Sequence, residues 1–173
     1  MDAFIEEDKK KGKNIIFIVA GLIALLAVIG IAYGVFMIPS PEQEKQAVLE
    51  NAFREGSPEF ANYTKEIIIS TKTDGLLEKY TGLGDIIMEI NGRIHNKGDK
   101  TLNGLEVSVG MTNTKKELIK DRKVLVIPQK YPELKPGETI DLSVDVPGFE
   151  EKDDRANAIW KVTAIKFKWE MRS

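Results

Sequence analysis

Five groups of side chains in this sequence are of types that can do chemistry. His95 is the single histidine and therefore the one imidazole available as a general base. A base needs a nucleophile and an orienting partner. No motif supplies either, so His95 reads as a solvent-facing residue at a strand end. Glu150, Glu151, Asp153 and Asp154 form an acidic loop of the type that holds a hard cation such as calcium. Lys152 and Arg155 interrupt it and it lacks the glycine of a ligating turn, so a solvated connection is expected. Lys115, Lys116, Lys120, Arg122 and Lys123 make a basic patch around one hairpin, suited to anionic headgroups or wall polymers. Glu117 and Asp121 break that patch, and a charged edge strand that resists aggregation explains it as well. Trp160, Trp169, Phe167 and Tyr131 are large enough either for a stacking platform or for a core. Asn62-Tyr63-Thr64 matches a glycosylation triplet, which matters only in a secretory pathway.

Composition excludes more than these groups offer. There are no cysteines, which removes disulfides, thiolate nucleophiles and cysteine-ligated metals, and one histidine removes every paired-histidine metal site. No glycine-rich phosphate loop or nucleophile elbow occurs. With 25 Lys and Arg against 27 Asp and Glu, the net charge of -2 gives no electrostatic reason to expect nucleic acid. The expectation is a chain without catalytic, cofactor-binding or metal residues, and not an enzyme.

The elements that would position these groups begin with an apolar run. Ile15 to Ile38 carries no charge, and 15 of its 24 positions are Ile, Leu, Val or Phe. At about 1.5 Å per residue a helix over this run exceeds the ~30 Å hydrocarbon core of a bilayer. The run is longer than the about 7–15 residues of a cleaved signal peptide and has no small-x-small site after it, so an uncleaved signal anchor is expected. Lys9, Lys10, Lys11 and Lys13 precede it and set the topology: a cytoplasmic tail over 1–13, a transmembrane helix over 14–38, and the remainder outside the cytosol. Ala20, Ala24, Ala27 and Gly34 recur with Gly30 beside them, a small-residue face that lets membrane helices approach closely.

Residues 39–62 read as a stalk helix and linker. Ser40 and Gln43 form a capping box around Pro41, and the helix is expected to run to about Glu55, with Gly56 and Ser57-Pro58 ending it. From residue 63 to 173 the texture becomes alternation. Thr64 to Thr71 reads as a first strand. Ile86, Met88, Ile90 and Ile94 then share one face, as do Leu105, Val107, Val109 and Met111, with Glu106, Ser108 and Thr112 outward. Ile140, Leu142, Val144 and Val146 alternate with Asp141, Ser143 and Asp145. Leu118 to Ile127 is apolar on both parities near its end and stays ambiguous. In the last strand a bulge near Ala164-Ile165 reconciles Trp160, Val162 and Ala164 with Ile165, Phe167 and Trp169. Six or seven short strands imply a mainly β, antiparallel, immunoglobulin-like sandwich following one transmembrane helix and a short stalk helix.

Gly92-Arg93-Ile94-His95-Asn96, Asp99-Lys100-Thr101-Leu102, Leu105-Glu106-Val107-Ser108-Val109 and Leu134-Lys135-Pro136-Gly137-Glu138-Thr139 resemble the strand–turn–strand signature of FxLYD-type domains. The resemblance covers about Gly84 to Phe167 and implies a small β-sandwich carried on membrane-anchored or secreted proteins, with no shared chemistry. The expected function is a single-pass, membrane-anchored extracytoplasmic interaction or scaffold module in an envelope or membrane complex. Its expected partners are the lipid bilayer, other membrane or envelope proteins, or itself through the transmembrane helix. A ligand-binding module for polysaccharide, wall polymer or a small molecule is the alternative.

Overall fold

The computed structural model describes residues 3–37, 40–82 and 84–168. The chain divides into two compact units, Met1–Glu44 and Lys45–Ser173. The first holds α1, Ala3–Met37, which begins well inside the expected cytoplasmic tail. The acidic and lysine residues there are sound helix formers and give the helix no reason to stop. Its window Phe17–Gly34 has a mean hydropathy of 2.5 with none of it buried, long and apolar enough to cross a membrane. Ile38, the expected end of the span, lies outside the described residues, as do the side chains of Phe36 and of Lys9, Lys10, Lys11 and Lys13.

α2, Pro41–Val48, opens on the expected capping box. The Gln43 amide donates to Ser40 Oγ at 3.3 Å and the Ser40 amide to Gln43 Oε1 at 3.0 Å. The helix does not reach Glu55. Asn51 takes a left-handed φ of 59°, and Phe53–Arg54 forms a short strand, β1. The cause is packing. Leu49 is buried against Leu125 and Ala164, and Phe53 rests on the main core, so these side chains leave water by meeting a sheet rather than by extending a stripe. Ser57-Pro58 does not end a helix but starts one: α3, Pro58–Tyr63, is capped by the Phe60 amide donating to Ser57 Oγ. Phe60 and Tyr63 belong to the core, so the folded domain starts ahead of the expected boundary at residue 63.

Six longer strands follow: β2 Ile67–Tyr80, β3 Ile86–Asn96, β4 Leu102–Thr112, β5 Leu118–Ile127, β6 Thr139–Phe149 and β7 Asn157–Phe167. They form two antiparallel sheets, ordered β2-β3-β6 and β1-β7-β4-β5. The alternation read from the sequence sets the inner faces. Ile86, Met88, Ile90 and Ile94 of β3 and Ile140, Leu142, Val144 and Val146 of β6 share one core with Leu105, Val107, Val109 and Met111 of β4. Each such burial stabilises by about 1.5–3 kcal/mol. β2 starts three residues later than expected, after a short 3-10 turn over Thr64–Glu66, and runs on to Tyr80, because a register shift between Thr71 and Leu76 lets it resume pairing with β3 after an interruption.

Three local expectations change. Glu106 and Thr112, expected outward, are buried: Lys45 of α2 and Arg54 of β1 lie over Glu106, and Thr112 donates to the Asn157 carbonyl of β7. The apolar end of β5 serves two cores at once. Val126 and Ile127 join the main cluster while Leu125 meets Leu49 on the other side. A β7 bulge exists, but it falls between Val162 and Ala164. Glu106 pairs with Ala164 while Val107 pairs with Val162, which turns Ala164 outward to Leu49 and Ile165 and Phe167 inward.

Candidate interaction surface

Each side chain singled out by type has a definite place. His95 sits on the outer face of β3, half-buried, with Nδ1 2.9 Å from Thr139 Oγ1 and 3.2 Å from the Glu138 carbonyl. Both contacts fall on Nδ1, so the ring is held between the Thr139 hydroxyl and the Glu138 carbonyl at the start of β6. In the acidic loop three carboxylates are engaged, two within the loop and one by the β4–β5 turn. Asp153 accepts from the Glu150 amide, Asp154 accepts from the amide and hydroxyl of Thr114 at 3.0 and 2.6 Å, and Glu150 pairs with Lys152. Among the described residues no group of three His, Cys, Asp or Glu side chains converges as for a metal ion.

Among the described residues, Phe167, Trp160 and Tyr131 lie at three separate places. Phe167 is buried between Phe53 and Tyr63, with Lys100 Nζ 4.6 Å from its ring centre. Trp160 rests half-buried over Gly92, and Tyr131 donates to the Asp141 carbonyl on the far sheet edge. Trp169 lies outside the described residues. Asn62 is exposed at the end of α3, but Tyr63 and Thr64 are turned into structural bonds. On α1, Ala20, Ala24, Ala27, Gly30 and Gly34 are all exposed.

Charge on the outer face of β2-β3-β6 is internally matched. Asp141 lies between Lys72 at 2.8 Å and Arg93 at 3.3 Å, and Lys79 meets both Glu89 and Asp145. The hydrogen bond from Lys72 holds the Asp141 carboxyl below its ordinary value, and that from Lys79 does the same to Glu89. A face so paired has little left to recruit a charged ligand.

What distinguishes this domain is how its sheet edges end. A strand edge exposes every second N–H and C=O, which pair with any extended chain unless something covers them. The β6 edge is covered by side chains. Tyr131 Oη donates to the Asp141 carbonyl at 2.7 Å, Lys130 Nζ to the Ser143 carbonyl and Arg122 Nη1 to the Asp145 carbonyl at 2.8 Å. These are successive carbonyls on one side of the strand. Here the basic hairpin finds its use: Arg122 closes a neighbouring edge. β5 carries Lys120, Asp121, Arg122 and Lys123 along its length, and Lys45 Nζ donates to the Lys123 carbonyl at 3.3 Å. β2 is broken in mid-strand, with Asp74 at a φ of 55°.

The β7 edge has none of these protections. Among the described residues β1 pairs with it only at Ile165 and Ala164, so Asn157 to Thr163 is open on that side. Ile159 is 41% exposed on the outer face, and Lys161 alone carries charge there, neutralised by Glu55 at 2.8 Å. β2 flanks the same side through the other sheet. Trp160 Nε1 donates to Thr71 Oγ1, and Arg155 bonds to Glu78 at 2.9 Å. The sequence carries the signal only in part: Asn157 to Val162 lacks the charge runs of the other edges, but which strand lies at an edge is not a local property.

A second feature is a cleft of about 390 Å³ lined by Phe53, Glu59, Asp99, Lys100, Thr101, Phe167 and Lys168. Its lining mixes two acids and two lysines around a mostly buried ring. Lys168 is already engaged by Glu133, whose carboxyl that contact lowers.

No family model matches the chain, and no curated protein matches it. Among solved structures the chain is similar to the crystal structure of a protein assigned as ApaA from Bordetella pertussis, at 14% identity and a TM-score of 0.31. The alignment covers 62% of this chain and 95% of that one. At that level of likeness nothing about this chain follows from it.

Proposed function

We propose that this chain is a non-enzymatic interaction module held at a membrane by α1, with its β domain on the extracytoplasmic side. The observation that carries the reading is the join of two features: an 18-residue apolar window with none of it buried, and a β domain whose β2-β3-β6 face has its charges paired and whose β7 edge is open. An exposed apolar helix of that length needs lipid or another helix around it. An open strand edge offers main-chain hydrogen bonds to another polypeptide. The immunoglobulin-like, FxLYD-type reading is supported by the strand orders β2-β3-β6 and β7-β4-β5, in which the sheets exchange strands rather than follow sequence. α2 is then the start of the stalk, and the lysines of residues 9–13 keep the N-terminus in the cytoplasm.

The test is fractionation followed by mild-detergent purification. The full chain is expected in the membrane fraction after a high-pH wash, with a reporter fused after Ser173 active outside the cytosol and a stoichiometric partner or self-oligomer recovered. A chain released by the wash, or a monomer with no partner, overturns the reading.

One observation favours a second reading, binding of a small ligand: the cleft beside Phe167 has the size of small-molecule sites, which begin at about 300 Å³. Chemical-shift changes confined to Phe53, Thr101 and Phe167 on adding a sugar library carry it; their absence removes it.

A further inference from the structure

The open edge of β7 fits a second copy of itself. We propose that two copies of this chain pair antiparallel through β7, about a two-fold axis centred on Ile159, to make one continuous sheet. The inference rests on the reading of the β7 edge as a docking edge, and it names the occupant.

Register decides the matter. In a continuous sheet, residues opposite each other must share a face, so a two-fold pairing can be centred only on a residue that then meets its own copy. Centred on Lys161, it sets two like charges opposite each other. Centred on Ala158, it sets Arg155 against Lys161. Centred on Trp160, it forces two indoles together on the inner face, where each already packs over Gly92 of its own domain. Centred on Ile159, all conflicts vanish. Ile159 meets Ile159 on the outer face, Asn157 meets Lys161, and on the inner face the small Ala158 meets the large Trp160 twice over. Apolar pairs and large–small pairs are the combinations that stabilise neighbouring strands. The stretch available, Asn157 to Thr163, ends where β1 takes over at Ala164, which is room for this register and little more.

The other edges exclude themselves as alternatives. On β6 three carbonyls are already bonded to Tyr131, Lys130 and Arg122, and β2 is interrupted at its centre. The second copy also has the right chemistry because in this register Lys161 faces the uncharged Asn157 of the other copy, so joining two edges opposes no like charges.

The chain has no cysteine, so a single introduced thiol reports on one position. The full chain bearing Ile159→Cys is oxidised in native membranes beside Leu118→Cys, a more exposed position on β5. Opposed residues in an antiparallel pair lie about 4.5–5.5 Å apart at Cα, within disulfide reach. A disulfide dimer from Ile159→Cys, with about tenfold less from Leu118→Cys, is the expected result. Ile159→Lys, a change at an exposed position, is expected to abolish energy transfer between labelled copies in vesicles. Equal yields from both thiols, or energy transfer unchanged by Ile159→Lys, overturn the proposal. A photo-reactive residue at 159 separates the two levels of failure. Capture of a different protein in place of a second copy overturns self-pairing and leaves the docking edge standing. No adduct of any kind overturns both.

Discussion

The indole N–H of Trp160 donates to the hydroxyl of Thr71 at 3.0 Å and so ties β7 of one sheet to β2 of the other along their open side. Thr71 is the last β2 residue paired before the interruption, directly opposite Gly92. A Cβ added at Gly92 would lie 2.6 Å from the Trp160 ring, so the glycine is what lets the indole reach across. Gly92→Ala is expected to displace the ring and destabilise the domain by about 1–3 kcal/mol, as overpacking does. Trp160→Phe removes the hydrogen bond and part of the contact and is expected to cost about 1–2 kcal/mol. Denaturant titration of the two variants in detergent tests the order.

Tyr63 plays the corresponding part at the β3–β4 turn. Its hydroxyl donates to the Lys100 carbonyl at 2.7 Å and accepts from the Lys100 amide at 2.8 Å, beside Asn96, whose side-chain amide also bonds the Lys100 and Leu134 carbonyls. Gly98 leaves space for the ring, since a Cβ there would fall 2.5 Å from it. Tyr63→Phe leaves the Lys100 amide without its partner and takes one of two donors from the Lys100 carbonyl, which keeps Asn96, and is expected to cost about 1–3 kcal/mol. Hydrogen exchange should show faster opening of residues 96–102 before any change in β6.

Among the described residues Glu106 is the one buried carboxylate, 6% exposed on β4. Thr163 Oγ1 donates to it at 2.6 Å, with Lys45 Nζ at 3.7 Å and Arg54 Nη1 at 3.9 Å. Those two cations come from α2 and β1, so Glu106 fastens the start of the domain onto its sheet. Glu106→Ala is expected to lose about 1.5–3 kcal/mol, the scale of hydrogen bonds to a charged group. Limited proteolysis should then cut first near residues 50–56, and equal protection there would contradict the assignment.

Acid should weaken the domain in a defined direction. Asp141, Glu89 and Asp154 are held below their ordinary values, first by hydrogen bonds from Lys72, Lys79 and Thr114 respectively. A carboxyl lowered in the folded state adds stability that is complete above its unfolded value and is lost as pH falls through the folded one. The unfolded values are near 3.8 for Asp and 4.5 for Glu. The melting temperature is therefore expected to be flat from neutrality down to about pH 5 and to fall below it. Asp141→Asn should flatten part of that fall, and a profile identical to that of the parent chain would show that the pairing with Lys72 and Arg93 adds nothing.

Much of this protein was legible in one dimension because the signals are local. A run from Ile15 to Ile38 without charge can only be a long apolar helix, and Ser40 with Gln43 caps the next one because the motif closes within a single turn. Alternation placed Ile90 and Val144 inward since successive strand side chains must point to opposite faces. Other features hang on partners distant in the chain. Phe53 became a strand residue because Ile165 was there to pair with it, and Glu106 was buried because α2 and β1 came to lie across it. Arg122 closes an edge only because Asp145 lies beside it, and Asn157 to Thr163 is open only because no strand among the described residues pairs with it on that side. Hydropathy and period are properties of neighbours along the backbone. Whether a strand is paired, covered or open is a property of neighbours in space.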